Sequence, residues 1–118
     1  MKRLIFSLTL LLVLAFSAGC QKDSGNKDTT PPFIVVLGSN PVYTELDSVY
    51  VDAGAKVFDV QQNGDTLDIS DRLQVTNDVN IHKRGIYKVY YNATDAAGNK
   101  AKEKTRDVVV EIFKKKRR

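Results

Sequence analysis

From residue 33 onward, apolar and polar positions alternate in short runs broken by turn-forming residues. A period of two over such lengths belongs to half-buried β-strands rather than helices. Phe33, Ile34, Val35, Val36 and Leu37 form a β-branched run that stops at Gly38. Val49 and Val51, then Ala55 and Val57, alternate with polar neighbours on either side of Gly54, which predicts strands joined by a bend at the glycine. Asn63-Gly64, within residues 61–65, is a hairpin signal. Leu73 with Val75 and Val79 with Ile81 predict further short strands. The clearest strand covers residues 86–94, with Tyr87, Val89, Tyr91 and Ala93 on one face and Lys88, Tyr90, Asn92 and Thr94 on the other. Ala96-Ala97-Gly98-Asn99 predicts a turn in which Gly98 takes positive φ and Asp95 accepts backbone N–H groups. A last strand places Val108, Val110 and Ile112 on one face and Asp107 and Glu111 on the other. About seven short strands, turns every 8–12 residues and no helical period predict an all-β fold, an antiparallel β-sandwich. No internal repeat is present, so residues 31–113 form one domain.

The start of the chain follows a different pattern. Lys2 and Arg3 precede a run over residues 4–16 that is apolar except for Ser7 and Thr9, and Ser17-Ala18-Gly19 follows. Charged start, short apolar middle and small-residue end make an export signal, too short for the ~20 apolar residues of a membrane span. A plain signal or a tethering helix explains the apolar run but gives no reason for Cys20, the single cysteine, to follow the small residues directly. Ser17-Ala18-Gly19-Cys20 resembles the lipobox of bacterial lipoproteins. That resemblance implies a signal peptide over residues 1–19, a diacylglyceryl group on the Cys20 thiol and an acylated new amino terminus. Each buried methylene contributes ~0.8 kcal/mol, so two or three chains anchor durably where one does not. The membrane, reached through this lipid, is then a partner, and the mature chain has no thiol left for a disulfide.

Residues 21–30 contain no apolar side chain, so residues 20–30 read as a lipidated flexible tether that Pro31-Pro32 stiffens. Gln21-Lys22-Asp23 resembles the start of the signal that sends lipoproteins of some Gram-negative gut and oral bacteria to the outer face of the outer membrane. The alternative is an outer-membrane lipoprotein facing the periplasm. Asp28-Thr29-Thr30, Asp47-Ser48-Val49 and Asp65-Thr66-Leu67 resemble the O-glycosylation signal of the same bacteria.

Charge alters one reading. The net charge is +4, yet residues 31–113 carry nine Lys/Arg against twelve Asp/Glu. The excess lies in Lys2, Arg3 and a basic tail over residues 114–118, so nucleic acid is not an expected partner.

The pattern Tyr50-x-Asp52-x-Gly54-Ala55-x-Val57-x-Asp59, then Gly85-x-Tyr87-x-Val89-x-Tyr91-x-Ala93-x-Asp95-Ala96-Ala97-Gly98-Asn99, then Arg106-x-Val108-x-Val110 resembles a bacterial immunoglobulin-like family. Such domains recur on secreted and surface proteins, including pesticidal crystal proteins, and are similar to the hyalin repeat. Arg84 and Ala53 stand where the family commonly has proline. The resemblance implies an immunoglobulin-like sandwich without catalysis, displayed for binding or adhesion to a glycan or surface-protein ligand. A structural spacer or accessory subunit of an outer-membrane complex is the alternative.

Catalytic chemistry finds little support. His82 is the lone histidine, beside Lys83 and Arg84, and reads as a loop residue. Asp59, Asp65, Asp68, Asp71, Asp78 and Asp95 raise a calcium hypothesis, since hard cations need several oxygen ligands. Asp65-x-x-Asp68-x-x-Asp71 lacks the spacing and glycine of an EF-hand loop. The acids therefore read as turn residues and solvated faces, with no metal and no cofactor beyond the lipid on Cys20. Tyr90 beside Lys88 reads as cross-strand packing with a secondary capacity to stack on a sugar.

Overall fold

The alternation is realised as seven strands in two facing sheets. The computed structural model describes residues 27–115. The signal segment, Cys20, the first part of the tether and the end of the basic tail lie outside the described residues. The elements are β1 (Phe33–Val36), β2 (Val42–Glu45), β3 (Ala55–Val60), β4 (Thr66–Asp68), a 3-10 turn (Ser70–Arg72), β5 (Gln74–Asn77), β6 (Gly85–Asn92) and β7 (Lys104–Glu111). One sheet has the order β1-β3-β4 and the other β2-β7-β6-β5. Among the described residues no helix is long and apolar enough to cross a membrane.

The sandwich is not wholly antiparallel. β2 pairs with β7 in parallel, Val42 opposite Val108, while the other strand pairs are antiparallel. The chain crosses from the first sheet to the second directly after β1, through a cis Asn40-Pro41 bond. The parallel neighbours β2 and β7 are linked through all the strands between them, as they must be, since a tight hairpin can only reverse direction.

The core follows the predicted faces where the alternation is strict. Val89 and Tyr91 of β6, then Ala93 just beyond it, are buried, with Val108 and Val110 of β7 opposite and Ile34, Ala55 and Val57 from the first sheet. Val57, Val89 and Val108 are fully buried, each contributing roughly 1.5–3 kcal/mol relative to an exposed side chain.

Three strand expectations are corrected. Val49 and Val51 lie outside any strand and are 81% and 82% exposed, because Tyr50 and Asp52 face inward instead. Val79 and Ile81 belong to the loop between β5 and β6, where the Ile81 carbonyl accepts the Asp47 N–H. Ile112 lies beyond β7 and is exposed. The hairpin at Asn63-Gly64 is present: Gly64 N–H donates to the Gln61 carbonyl and Gln61 N–H to that of Asp65.

Two glycines carry different burdens. Gly98 has φ 94°, as the turn requires, and a Cβ there would meet nothing within 4 Å. Gly38 has φ 81°, and a Cβ would lie 2.9 Å from the Ala53 Cβ and 3.5 Å from an Arg106 guanidinium nitrogen. Gly98→Ala is therefore expected to lose the left-handed penalty alone, about 1–2 kcal/mol. Gly38→Ala should lose about 1–2 kcal/mol more through overpacking. Urea unfolding of the two variants checks the order, and equal losses would remove the steric part.

Candidate functional site

Two polar clusters lie within the sandwich. In the first, the β7 alternation that buries Val108 and Val110 also turns Arg106 inward, leaving it 1% exposed. Its Nε donates to Asp52 Oδ1 at 2.9 Å and to the Tyr91 hydroxyl at 3.0 Å. One terminal nitrogen donates to the Ser39 carbonyl at 2.6 Å, and the other to the carbonyls of Leu37 and of Gly54, the latter at 3.2 Å. The guanidinium carbon also stands 5.7 Å from the Tyr91 ring centroid. Tyr50 and Tyr91 both donate their hydroxyls to Asp52, which also accepts the Gly54 N–H at 2.8 Å.

Burial pushes the Asp52 carboxyl up, but hydrogen bonds from Tyr50, Tyr91, Gly54 N–H and Arg106 together hold it below the usual carboxylate range. Burial, then the bond to Asp52, pushes the Tyr91 hydroxyl up to about 12, and Tyr50 is raised further for the same reasons. Burial works against the Arg106 charge, but Tyr91 and Asp52 outweigh it and hold the guanidinium protonated. Every polar side-chain atom here has a protein partner, so the cluster is a structural staple. It ties β7 to the crossover after β1 and to the bend before β3. Sequence reading placed Tyr50, Asp52 and Arg106 in a family pattern without assigning this role. The available signal was that Arg106 stands in phase with Val108 and Val110.

The second cluster brings together Asp28, Asp59 and Asp95, one carboxylate oxygen of each lying within 4.8 Å of the others. Asp28 precedes β1, Asp59 is on β3, and Asp95 opens the turn between β6 and β7. Asp95 is 3% exposed and held by that turn: Oδ1 accepts Ala97 N–H at 3.0 Å and Asn99 N–H at 2.8 Å, and Oδ2 accepts Asn99 Nδ2 at 2.9 Å. Burial raises its pKa, but these bonds outweigh it and leave the carboxyl below its ordinary value. Asn99 Nδ2 also donates to the Asp28 backbone carbonyl at 3.0 Å, so contact with the domain begins at Asp28, ahead of Pro31. Asp59 is 8% exposed, and its Oδ1 is buried without a hydrogen-bond partner. Burial, then the charges of Asp95 and Asp28, push its pKa up. A cleft of about 430 Å³ opens beside the cluster, lined by Asp28, Asp59, Val60, Gln61, Gln62 and Asn63.

The other sequence candidates are dispersed. His82 is an exposed loop residue whose Nδ1 lies 2.7 Å from Asp47 Oδ1. Asp65 caps the hairpin loop with Asn63, Asp68 accepts the Ser70 N–H, and Asp78 accepts the Lys88 N–H. Tyr90 is half-buried between Thr76 and Thr105 across its strand neighbours. The more exposed aromatic is Tyr43 on edge strand β2, at 56%, in register with Val109 and, through it, with Ile86 at 71%.

Residues 34–110 match the family described as bacterial surface protein, Ig-like domain. A crystal structure of a lipoprotein from Bacteroides thetaiotaomicron is similar at 25% identity and TM-score 0.54, over 71% of this chain and 40% of that one. The structure of CBM51-2 in complex with GlcNAc and INT domains from Clostridium perfringens ZmpB is similar at 26% identity and TM-score 0.50, over 70% of this chain and 17% of that one. This chain thus corresponds to less than half of either of those proteins. No curated protein matches it. With a family match over most of the sandwich and two facing sheets joined by the β1–β2 crossover, the chain belongs to the bacterial surface immunoglobulin-like domain family.

Proposed function

We propose that this chain is a non-enzymatic lipoprotein of the outer membrane, facing the cell exterior, whose immunoglobulin-like module serves in binding or adhesion. Acyl chains on Cys20 hold it to the membrane, and the following residues space the module from the bilayer. The observation that carries the reading is membership of a bacterial surface family over residues 34–110. The lipobox-like Ser17-Ala18-Gly19-Cys20 and the similarity to a lipoprotein support the anchor. The outward row of Tyr43, Val109 and Ile86 supplies the contact surface. An exposed aromatic beside aliphatic side chains on a flat sheet suits the apolar face of a sugar ring or a patch on another protein.

A spacer or accessory role is the second reading. The lengths favour it, because similar modules make up only 40% and 17% of the chains that contain them.

Palmitate labelling and protease shaving of intact cells test the anchor and its face. Cys20→Ala is expected to abolish labelling and release the protein from membranes; retained label would overturn the lipid assignment. Tyr43→Ala combined with Ile86→Ser is expected to weaken capture on glycan or surface-protein arrays by about tenfold or more. An intact protein that binds neither, and co-purifies with a membrane complex, would favour the spacer.

A further inference from the structure

We propose that Asp28, Asp59 and Asp95 bind a calcium ion that clamps the N-terminal tether onto the sandwich. Three carboxylates from separate parts of the chain converge within 4.8 Å, about twice the 2.3–2.6 Å bond that calcium makes to oxygen. None of the ion pairs among the described residues involves them. Mutual repulsion therefore goes uncompensated by protein charge, in a place where Asp59 and Asp95 are almost out of water.

The decisive feature is the Asp59 Oδ1 atom. It is buried, unpartnered, and belongs to a side chain more than nine-tenths buried and directed into the cluster. A buried carboxylate oxygen with no donor is costly, and a cation is the group that satisfies it without a donor hydrogen. The neighbours are already arranged for this. The turn at Asn99 fixes Asp95, and the same Asn99 side chain holds the Asp28 backbone. Asp28 Oδ1 accepts the Thr30 N–H at 3.0 Å, which orients its carboxylate. The ligands are all hard oxygens without nitrogen or sulfur, which selects calcium or magnesium over zinc. Calcium completes six to eight ligands with flexible geometry, and water in the adjoining cleft, with the amide oxygens of Gln61 and Asn63 nearby, can supply the rest. Magnesium demands a tighter octahedron at 2.0–2.1 Å and fits less well.

The consequence is mechanical. Asp28 lies between Cys20 and the first strand, so the ion reinforces the hold of Asn99 on this part of the chain and fixes where the chain joins the sandwich. This holds whether the module binds a glycan or acts as a spacer.

The test uses the mature lipoprotein in detergent after EDTA treatment and dialysis, titrated with calcium chloride or magnesium chloride. Calcium at about ten times a Kd in the 0.1–1 mM range is expected to raise Tm by roughly 5–10 °C. Magnesium is expected to do less. Asp59→Asn should raise the Tm of the metal-free protein and remove the calcium response. Asp28→Asn, outside the core, should fold normally and weaken calcium binding about tenfold. Calcium should also protect residues 21–30 from protease in the parent but not in Asp28→Asn. No Tm shift at about 10 mM calcium, or equal shifts in the parent and both variants, would overturn the site. An equal response to magnesium would overturn the choice of ion.

Discussion

Arg106→Met is expected to lower the free energy of unfolding by about 3–5 kcal/mol, a large fraction of the 5–15 kcal/mol available to a small domain. The methionine keeps most of the apolar stem, so the loss isolates the guanidinium. That group satisfies Asp52, the Tyr91 hydroxyl and the carbonyls of Leu37, Ser39 and Gly54. Without it the Leu37 and Ser39 carbonyls lose their donor at a 1% exposed position, the Gly54 carbonyl keeps only the Leu37 N–H, and Asp52 keeps only its neutral donors. Replacing a buried ion pair with apolar residues is often neutral, because both charges leave together. Here the companion change Asp52→Asn should give only partial rescue, since the orphaned Leu37 and Ser39 carbonyls remain whatever occupies position 52. Arg106→Lys should fall between, since an ammonium cannot reproduce the planar fork that reaches several acceptors. Urea unfolding at neutral pH measures all three, and a loss under about 1 kcal/mol for Arg106→Met would show that water replaces the guanidinium cheaply.

This staple explains how the sandwich manages with one cysteine, placed ahead of the domain. A single side chain on β7 joins the β1–β2 crossover, the bend before β3 and β6. It thereby crosses between the two sheets where hydrophobic contact alone has no directional preference.

The same residues show what the sequence could and could not convey. β6 was legible because Tyr87, Val89, Tyr91 and Ala93 alternate without interruption against Lys88, Asn92 and Thr94. The stretch before β3 misleads in phase, since Val49 and Val51 look like core while Tyr50 and Asp52 look like surface. Their inward turn is stabilised by Tyr91 and Arg106, 39 and 54 residues after Asp52, and no local pattern encodes those contacts. β2 escaped because a four-residue edge strand with alternating half-burial carries no periodic signal of its own. The antiparallel expectation failed at the same strand, whose pairing with β7 depends on the topology of the whole domain. Among the acids, Asp95 is legible from its place before Ala96-Ala97-Gly98-Asn99 as the residue that closes a turn, through its bonds to Ala97 and Asn99. Its meeting with Asp59 and with Asp28 is a long-range outcome of folding, invisible to any spacing rule.

The acid response of the metal-free protein is expected to have two opposed phases. Asp52 and Asp95 have folded pKa values below their ordinary 3.8, so each contributes stability that is fully present above that value and lost as pH falls through the folded pKa. Asp59 has the opposite sign. Its folded pKa lies above 3.8, so its charge opposes folding at neutral pH, and that opposition is relieved as pH falls through the folded value. Stability in EDTA should therefore hold or rise slightly on acidification from pH 7, then collapse below about pH 4. Asp59→Asn should remove the early rise while leaving the collapse, and Asp52→Asn should make the collapse shallower from a lower starting stability. Calcium inverts the first phase, because an ion on Asp59 requires the deprotonated carboxylate and must compete with protons. In calcium the protein should be most stable near neutral pH and lose that increment as Asp59 protonates. Urea unfolding across pH 3–7, with and without calcium, reads both phases, and parallel curves in the two conditions would separate the titration of Asp59 from the ion.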